Sequence, residues 1–171
     1  IQLNNELMQK KDGFYQLQKD REAVQAFLEE VESKMKRFET EAARLRWLID
    51  ENYYEDFFRL YELDDILSIR ETVFSYEFKF QSFMAVSKFY KDYALKTNDH
   101  QQYLEYYEDR IVAVALYLAQ GDAKKAMDYA VAMIEQRYQP ATPTFLNAGK
   151  ARRGEMVSCF LLEMDDSLNS I

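Results

Sequence analysis

One cysteine, one histidine, two prolines and four glycines stand in 171 residues, and each scarcity removes a class of protein. A single thiol, Cys159, closes no disulfide within the chain, which sets aside a disulfide-stapled secreted scaffold. His100 lies in a Thr-Asn-Asp-His turn with no Cys or His neighbour, so neither a metal site nor a general base is read there. Few Gly and Pro, with Pro140 and Pro143 in one place, imply long regular elements and few sharp turns. No apolar run approaches the roughly 20 residues of a membrane span, and no signal-peptide pattern opens the chain. A soluble cytoplasmic protein with no membrane partner is expected. Basic residues are short too: 22 against 30 acidic ones give a net charge of −8, a poor match to a polyanion, which argues against DNA or RNA as a partner. Mononucleotides stay open, because loops and helix N-termini hold them locally. Ile1 is not an initiator Met and nothing ends naturally at Ile171, so a fragment of a longer protein is expected.

What is present is apolar and aromatic. Hydrophobic residues make up 48%, with 13 Tyr and 12 Phe, enough for one domain or two small ones with a real core. The Lys-Asp-Gly turn signal in "IQLNNELMQKKDGFYQL" predicts a small hairpin. From Asp20, read as an N-cap, Ala23, Val24, Phe27, Leu28 and Val31 fall at helical spacing. Ala42, Leu45, Leu48 and Ile49 repeat the pattern. Short amphipathic helices are predicted over 54–61 and 63–75, another from about Ser82 after a brief extended piece, and a long one over 101–119, buried on most sides from Ile111. Gln120-Gly121-Asp122 breaks that helix before the next. Residues 139–155 read as a connector, "MVSCFLLEM" as a fully buried strand over about 156–164, and "DDSL" as caps for a following helix. A composition shift near 76–82 divides the chain into 1–81 and 82–171. The fold class is mainly α, a helical region handing over to a strand.

Tyrosines at helical spacing beside Phe and Leu are read as packing. "KARR" at 150–153 is most simply a solvated connector, with phosphate contact as the alternative. A lone buried Cys159 is by pattern a small hydrophobe. Its place after a connector carrying Thr142, Thr144 and Asn147 favours chemistry, since such loops converge on sites.

"QPATPTFLNAG" followed by "RRGEMVSCFLLEMDDSLNSI" resembles the start of the catalytic barrel in the large subunit of class I ribonucleotide reductases, most closely the class Ib form. "FMAVSKFYKDYALKTND" and "YEDRIVAVALYLAQGD" resemble that family more loosely, and the likeness is weakest before residue 40. The resemblance implies a helical N-terminal region leading into the first strand of a ten-stranded α/β barrel. It implies that Cys159 is one of two cysteines that reduce the 2′ carbon of the substrate and become a disulfide, its partner lying beyond Ile171 with the radical-bearing cysteine. It implies that Thr142 and Ser158, with Cys159, contact a ribonucleoside diphosphate. Asp166 and Ser167 would contact a deoxynucleoside triphosphate or ATP effector. It assigns no cofactor or metal to this chain: the dimetal centre and radical come from a small subunit. A homodimer of the large subunit and a glutaredoxin- or thioredoxin-like dithiol complete the implied partners. The first 80 residues are too short for the full ATP-binding domain of other class I enzymes, and no nucleotide role is read there. Periodicity alone supports a different reading, a helical interaction module with a structural Cys159. If 156–164 is a regular strand, Ser158 and Cys159 point to opposite faces, so Ser158 would act through its backbone or the strand would begin irregularly.

Overall fold

The computed structural model describes residues 2–159, with side chains from Leu17 onward. Helix α1 runs unbroken over Gln2–Lys34, and the hairpin predicted at its start does not form. An isolated two-stranded hairpin is marginal in water, whereas a helix satisfies its backbone internally at the cost of about 1 kcal/mol for Gly13 relative to Ala. Val31 and Met35 bury against Val86, Phe89, Tyr90 and Ala94, with Val24, Phe27 and Leu28 alongside. The predicted N-cap Asp20 lies inside α1. Its carboxylate accepts the Phe83 N–H at 3.1 Å, and so supports the first turn of a different helix, α4 (Phe83–Lys88), whose own N-cap is Ser82. Asp20→Ala should therefore loosen the α1–α4 junction and cost about 0.5–2 kcal/mol in urea unfolding; an unchanged midpoint would show the bond to be idle.

Thr40 caps α2 (Glu41–Asp50) by accepting the Ala43 N–H, and α2 buries Leu45 and Leu48. A 3-10 turn over Asp56–Leu60 follows, shorter than the helix predicted for 54–61, and then α3 (Leu63–Phe74), which buries Ile66, Ile69 and Val73. Helix α4 continues into one π turn, Phe89–Tyr93.

The helix predicted over 101–119 begins only at Tyr107. Residues 95–97 and 102–104 instead fold back on each other, with Leu104 N–H to Leu95 O at 2.8 Å and Thr97 N–H to Gln102 O at 3.0 Å. Asp99 organises the turn by accepting the Thr97 hydroxyl and the Gln101 N–H. Tyr103 then exchanges backbone bonds with Lys34 and Lys36, so the tail of α1 captures a segment that amphipathicity alone would make helical.

Helix α5 (Tyr107–Ala119) is the central element. Ile111 to Leu116 are all buried, enclosed by α3, α6 (Ala123–Ile134), α7 (Thr142–Asn147) and the 3-10 turn. It stops at Gln120 and Gly121, both left-handed. Ala126 and Ala130, fully buried, give α6 a flat strip on which α5 approaches closely. One apolar cluster runs from Leu45 to Ala148 and crosses the 81/82 division. The described chain is mainly helical and has no strand, and none of its helices is long and apolar enough to cross a membrane.

At 156–159 the predicted buried strand is not observed. Met156 and Ser158 sit at bends, and Val157, Ser158 and Cys159 are exposed. A strand needs a neighbour to take its N–H and C=O groups, and no strand among the described residues supplies one. The rest of 156–164 and the caps read at "DDSL" lie outside the described residues.

Candidate functional site

The connector predicted between α6 and Cys159 contains α7. Thr142 opens it and Pro143 sits in its first turn, where the missing N–H costs nothing. Phe145 wedges α7 against Phe89, Tyr93 and Tyr107, with ring centroids 6.4, 5.8 and 6.1 Å away. Ala148, fully buried, ends the helix. Gly149 then turns left-handed at φ +80, where an added Cβ would lie 2.7 Å from the Phe57 ring, so only glycine fits.

Thr142 is exposed at the edge of a cavity of about 510 Å3 floored by Phe78, Phe80, Phe89, Tyr107 and Phe145. At the other end of α7, roughly 7.5 Å along the axis, Asn147 holds the outgoing chain. Its Nδ2 donates to Glu155 O at 3.1 Å, and its Oδ1 accepts the Gly154 N–H at 3.2 Å. Cys159 follows Glu155 by four residues, a reach of at most ~14 Å. The structure thus fixes residues 154–155 to the end of α7 that lies opposite Thr142. It makes no hydrogen bond between Thr142 and the Ser158–Cys159 pair among the described residues. The bend at Ser158 means that strict strand alternation does not govern where Ser158 and Cys159 aim. Asp166 and Ser167 lie outside the described residues.

"KARR" is a connector with Arg152 and Arg153 exposed as expected, but it is tied to the body of the chain and Lys150 is buried. Tyr53 O accepts the Ala151 N–H and Gly149 O accepts the Glu55 N–H, both at 2.9 Å, while Arg153 pairs with Glu55 at 2.8 Å. Lys150 is buried and donates to Tyr93 O at 2.6 Å. Burial pushes its ammonium pKa down to about 8, with Arg110 and Lys96 pushing the same way and Glu105 opposing them.

Sequence reasoning missed the polar network behind α7. Glu105 and Arg110 are fully buried and pair at 3.4 Å. Glu105 also accepts the Tyr54 hydroxyl at 2.7 Å and the Leu95 N–H at 2.9 Å, and Arg110 donates to Ala148 O. Arg44 binds Glu41 at 2.6 Å and Leu104 O at 3.0 Å. Arg70 reaches Glu41 and Asp109. Burial raises the Glu41 pKa, though Arg44 and Arg70 draw it back. The one signal for this network was "EDR" set directly against the apolar run of α5, where a charge must be paired to be buried.

Comparison with known proteins places this architecture. A model described as ribonucleotide reductase N-terminal matches residues 1–78, and one described as ribonucleotide reductase, all-alpha domain, matches 79–153. The chain is 53% identical over 173 aligned positions to ribonucleoside-diphosphate reductase subunit alpha of Bacillus subtilis (strain 168), covering 100% of this chain and 25% of that protein. It is 54% identical to the NrdEB subunit alpha of the same bacterium, covering 100% and 16%. With the Mycoplasma pneumoniae subunit alpha it shares 44% over 154 positions, 89% of this chain and 21% of the relative. The chain spans a quarter or less of the length of these relatives. With two successive reductase models accounting for residues 1–153 and a mainly helical structure over its described length, the chain belongs to the ribonucleotide reductase family and corresponds to the N-terminal region of the alpha subunit.

Proposed function

We propose that the chain is part of a class Ib ribonucleoside-diphosphate reductase large subunit, which reduces ribonucleoside diphosphates to deoxyribonucleoside diphosphates for DNA synthesis. The observation that carries this reading is the 53% identity, over the whole chain, with a protein named ribonucleoside-diphosphate reductase subunit alpha. Replacing the 2′ hydroxyl by hydrogen takes two electrons, and the hydroxyl leaves as water. Cys159 and a cysteine beyond Ile171 supply both electrons and become a disulfide, which an external glutaredoxin- or thioredoxin-like dithiol reopens by exchange. Thr142 and Ser158 hold the diphosphate substrate. A small subunit supplies the radical and its dimetal centre, and the large subunit works as a homodimer. The 171 residues alone carry one thiol, half of the couple, and are inactive. Translating the gene past Ile171 tests the reading: it requires a second cysteine and an Asn-x-Cys-x-Glu motif, and a stop codon with no complementing chain would end it.

Asp166, with Ser167, reads the deoxynucleoside triphosphate or ATP effector. A carboxylate repels phosphate but accepts a hydrogen bond from a ribose hydroxyl. In the full-length enzyme Asp166→Ala should remove one such bond, worth roughly 0.5–1.5 kcal/mol, or about a twofold to tenfold loss of effector affinity. Competition between two ribonucleoside diphosphates across an effector titration measures it. Unchanged selection with a lower basal rate would place Asp166 in the catalytic site instead.

A further inference from the structure

The 150–153 segment contributes two cations to a second cavity, of about 320 Å3, that none of Thr142, Ser158 or Cys159 lines. Lys150 and Arg152 enter it from that segment, Lys91 from the π turn that follows α4, and Lys96 from the fold-back before α5. In a chain of net charge −8, this concavity gathers four Lys and Arg residues against one carboxylate, Asp92, which is already paired with Lys88. Among the described residues none of the four cations makes a salt bridge.

Two of the four are also withdrawn from solvent. Lys150 spends one hydrogen bond on Tyr93 O, and Lys96 spends one on Lys91 O at 2.9 Å. An ammonium has three donors, so each retains donating capacity toward the cavity. Burial lowers the pKa of both. Glu105 and Asp92 offset part of the cost of holding such groups together, and an anion relieves the remainder. The walls are set in advance: backbone bonds fix 149–151 to 53–55 and 95–97 to 102–104. His100 and Asn52 on the lining hold left-handed backbone at φ 58 and 60, a strain that surrounding structure must sustain.

We propose that this cavity binds a phosphate-bearing anion, a di- or triphosphate group held by Lys91, Lys96, Lys150 and Arg152. Four cations exceed what one carboxylate neutralises and suit a multiply charged group, with the Arg fork and the Lys point charges dividing its oxygens. The site is independent of the catalytic reading, because among the described residues its lining includes none of Thr142, Ser158 or Cys159.

The test is calorimetric titration of the full-length protein with tripolyphosphate, ATP and adenosine, in wild type and in the Lys96→Gln/Arg152→Gln double variant. The expected result is saturable tripolyphosphate binding that weakens with salt and is at least tenfold weaker in the double variant. It should also weaken from pH 7 to 9. Lys150 then loses its proton, because burial holds its pKa down to about 8 even with Glu105 opposing, and Asp92 is already engaged by Lys88. Lys91→Gln, an exposed position, provides a mild second variant, expected to weaken binding about threefold if the double variant does not fold. A component of ATP binding lost in the double variant and tighter than tripolyphosphate identifies a nucleotide as the source. The reverse order identifies free polyphosphate, and either supports the site. No saturable tripolyphosphate binding, equal binding in all variants, or adenosine binding as tightly as ATP would overturn it.

Discussion

Cys159→Ser in the full-length reductase is expected to abolish multiple turnover with external dithiols while leaving fold and effector binding intact. Serine keeps the size and shape of the side chain but forms no disulfide, so the two-electron step loses half of its reductant. Because the hydroxyl occupies the place of the thiol, the substitution should change stability by no more than about 0.5 kcal/mol. A structural thiol predicts the opposite pair of results, a measurable loss of stability with turnover retained. Measuring steady-state product formation beside urea unfolding separates them. Normal turnover in the variant would refute the redox assignment.

Glu105→Ala should produce the largest loss of stability, about 3–5 kcal/mol, the cost of leaving a buried charge unpaired. The substitution strands three groups at once: the fully buried Arg110 guanidinium, the buried Tyr54 hydroxyl and the Leu95 N–H. Against a typical total of about 5–15 kcal/mol, that removes a third or more of the stability. Because Arg110 also donates to Ala148 O at the end of α7, the clamp that carries the chain toward Cys159 should loosen with it. Glu105→Gln keeps one oxygen to accept the Leu95 N–H and turns the other position into an NH2 that can only donate to the Tyr54 oxygen, so it should lose less than Glu105→Ala. Chemical unfolding of both variants measures the ordering. Equal midpoints for Glu105→Ala and wild type would show that the network contributes nothing to the fold.

Where the apolar period was long and uninterrupted, the helices were readable from the sequence. Leu45 and Leu48 of α2, the α3 stripe and the apolar run of α5 lie buried as their spacing required, and Ser82 begins α4. The failures each have a competing cause. Lys-Asp-Gly read as a turn, but the rest of α1 carries the helix through Gly13. Residues 101–106 carry a helical pattern, yet Tyr103 is captured by backbone bonds to Lys34 and Lys36. Pro143 suggested a connector because proline breaks helix interiors, whereas in the first turn it starts α7. Long-range pairing hid the role of the charges: Glu105 meets Tyr54 across 51 positions, which no local window sees. The candidate site was legible only through the resemblance of its motifs. Periodicity gave no reason to join Thr142 to Cys159, and it did not show the Asn147 clamp on the outgoing chain, which depends on backbone geometry at 154–155.

The most direct measurement is the redox state of Cys159 after one turnover. The full-length large subunit, fully reduced, is mixed with its small subunit, effector and a ribonucleoside diphosphate without external dithiol, then alkylated and mapped by peptide mass spectrometry. Cys159 should be found in a disulfide with a cysteine beyond Ile171, in proportion to the deoxyribonucleotide formed. Stoichiometric product with Cys159 still free and alkylated would contradict the assignment.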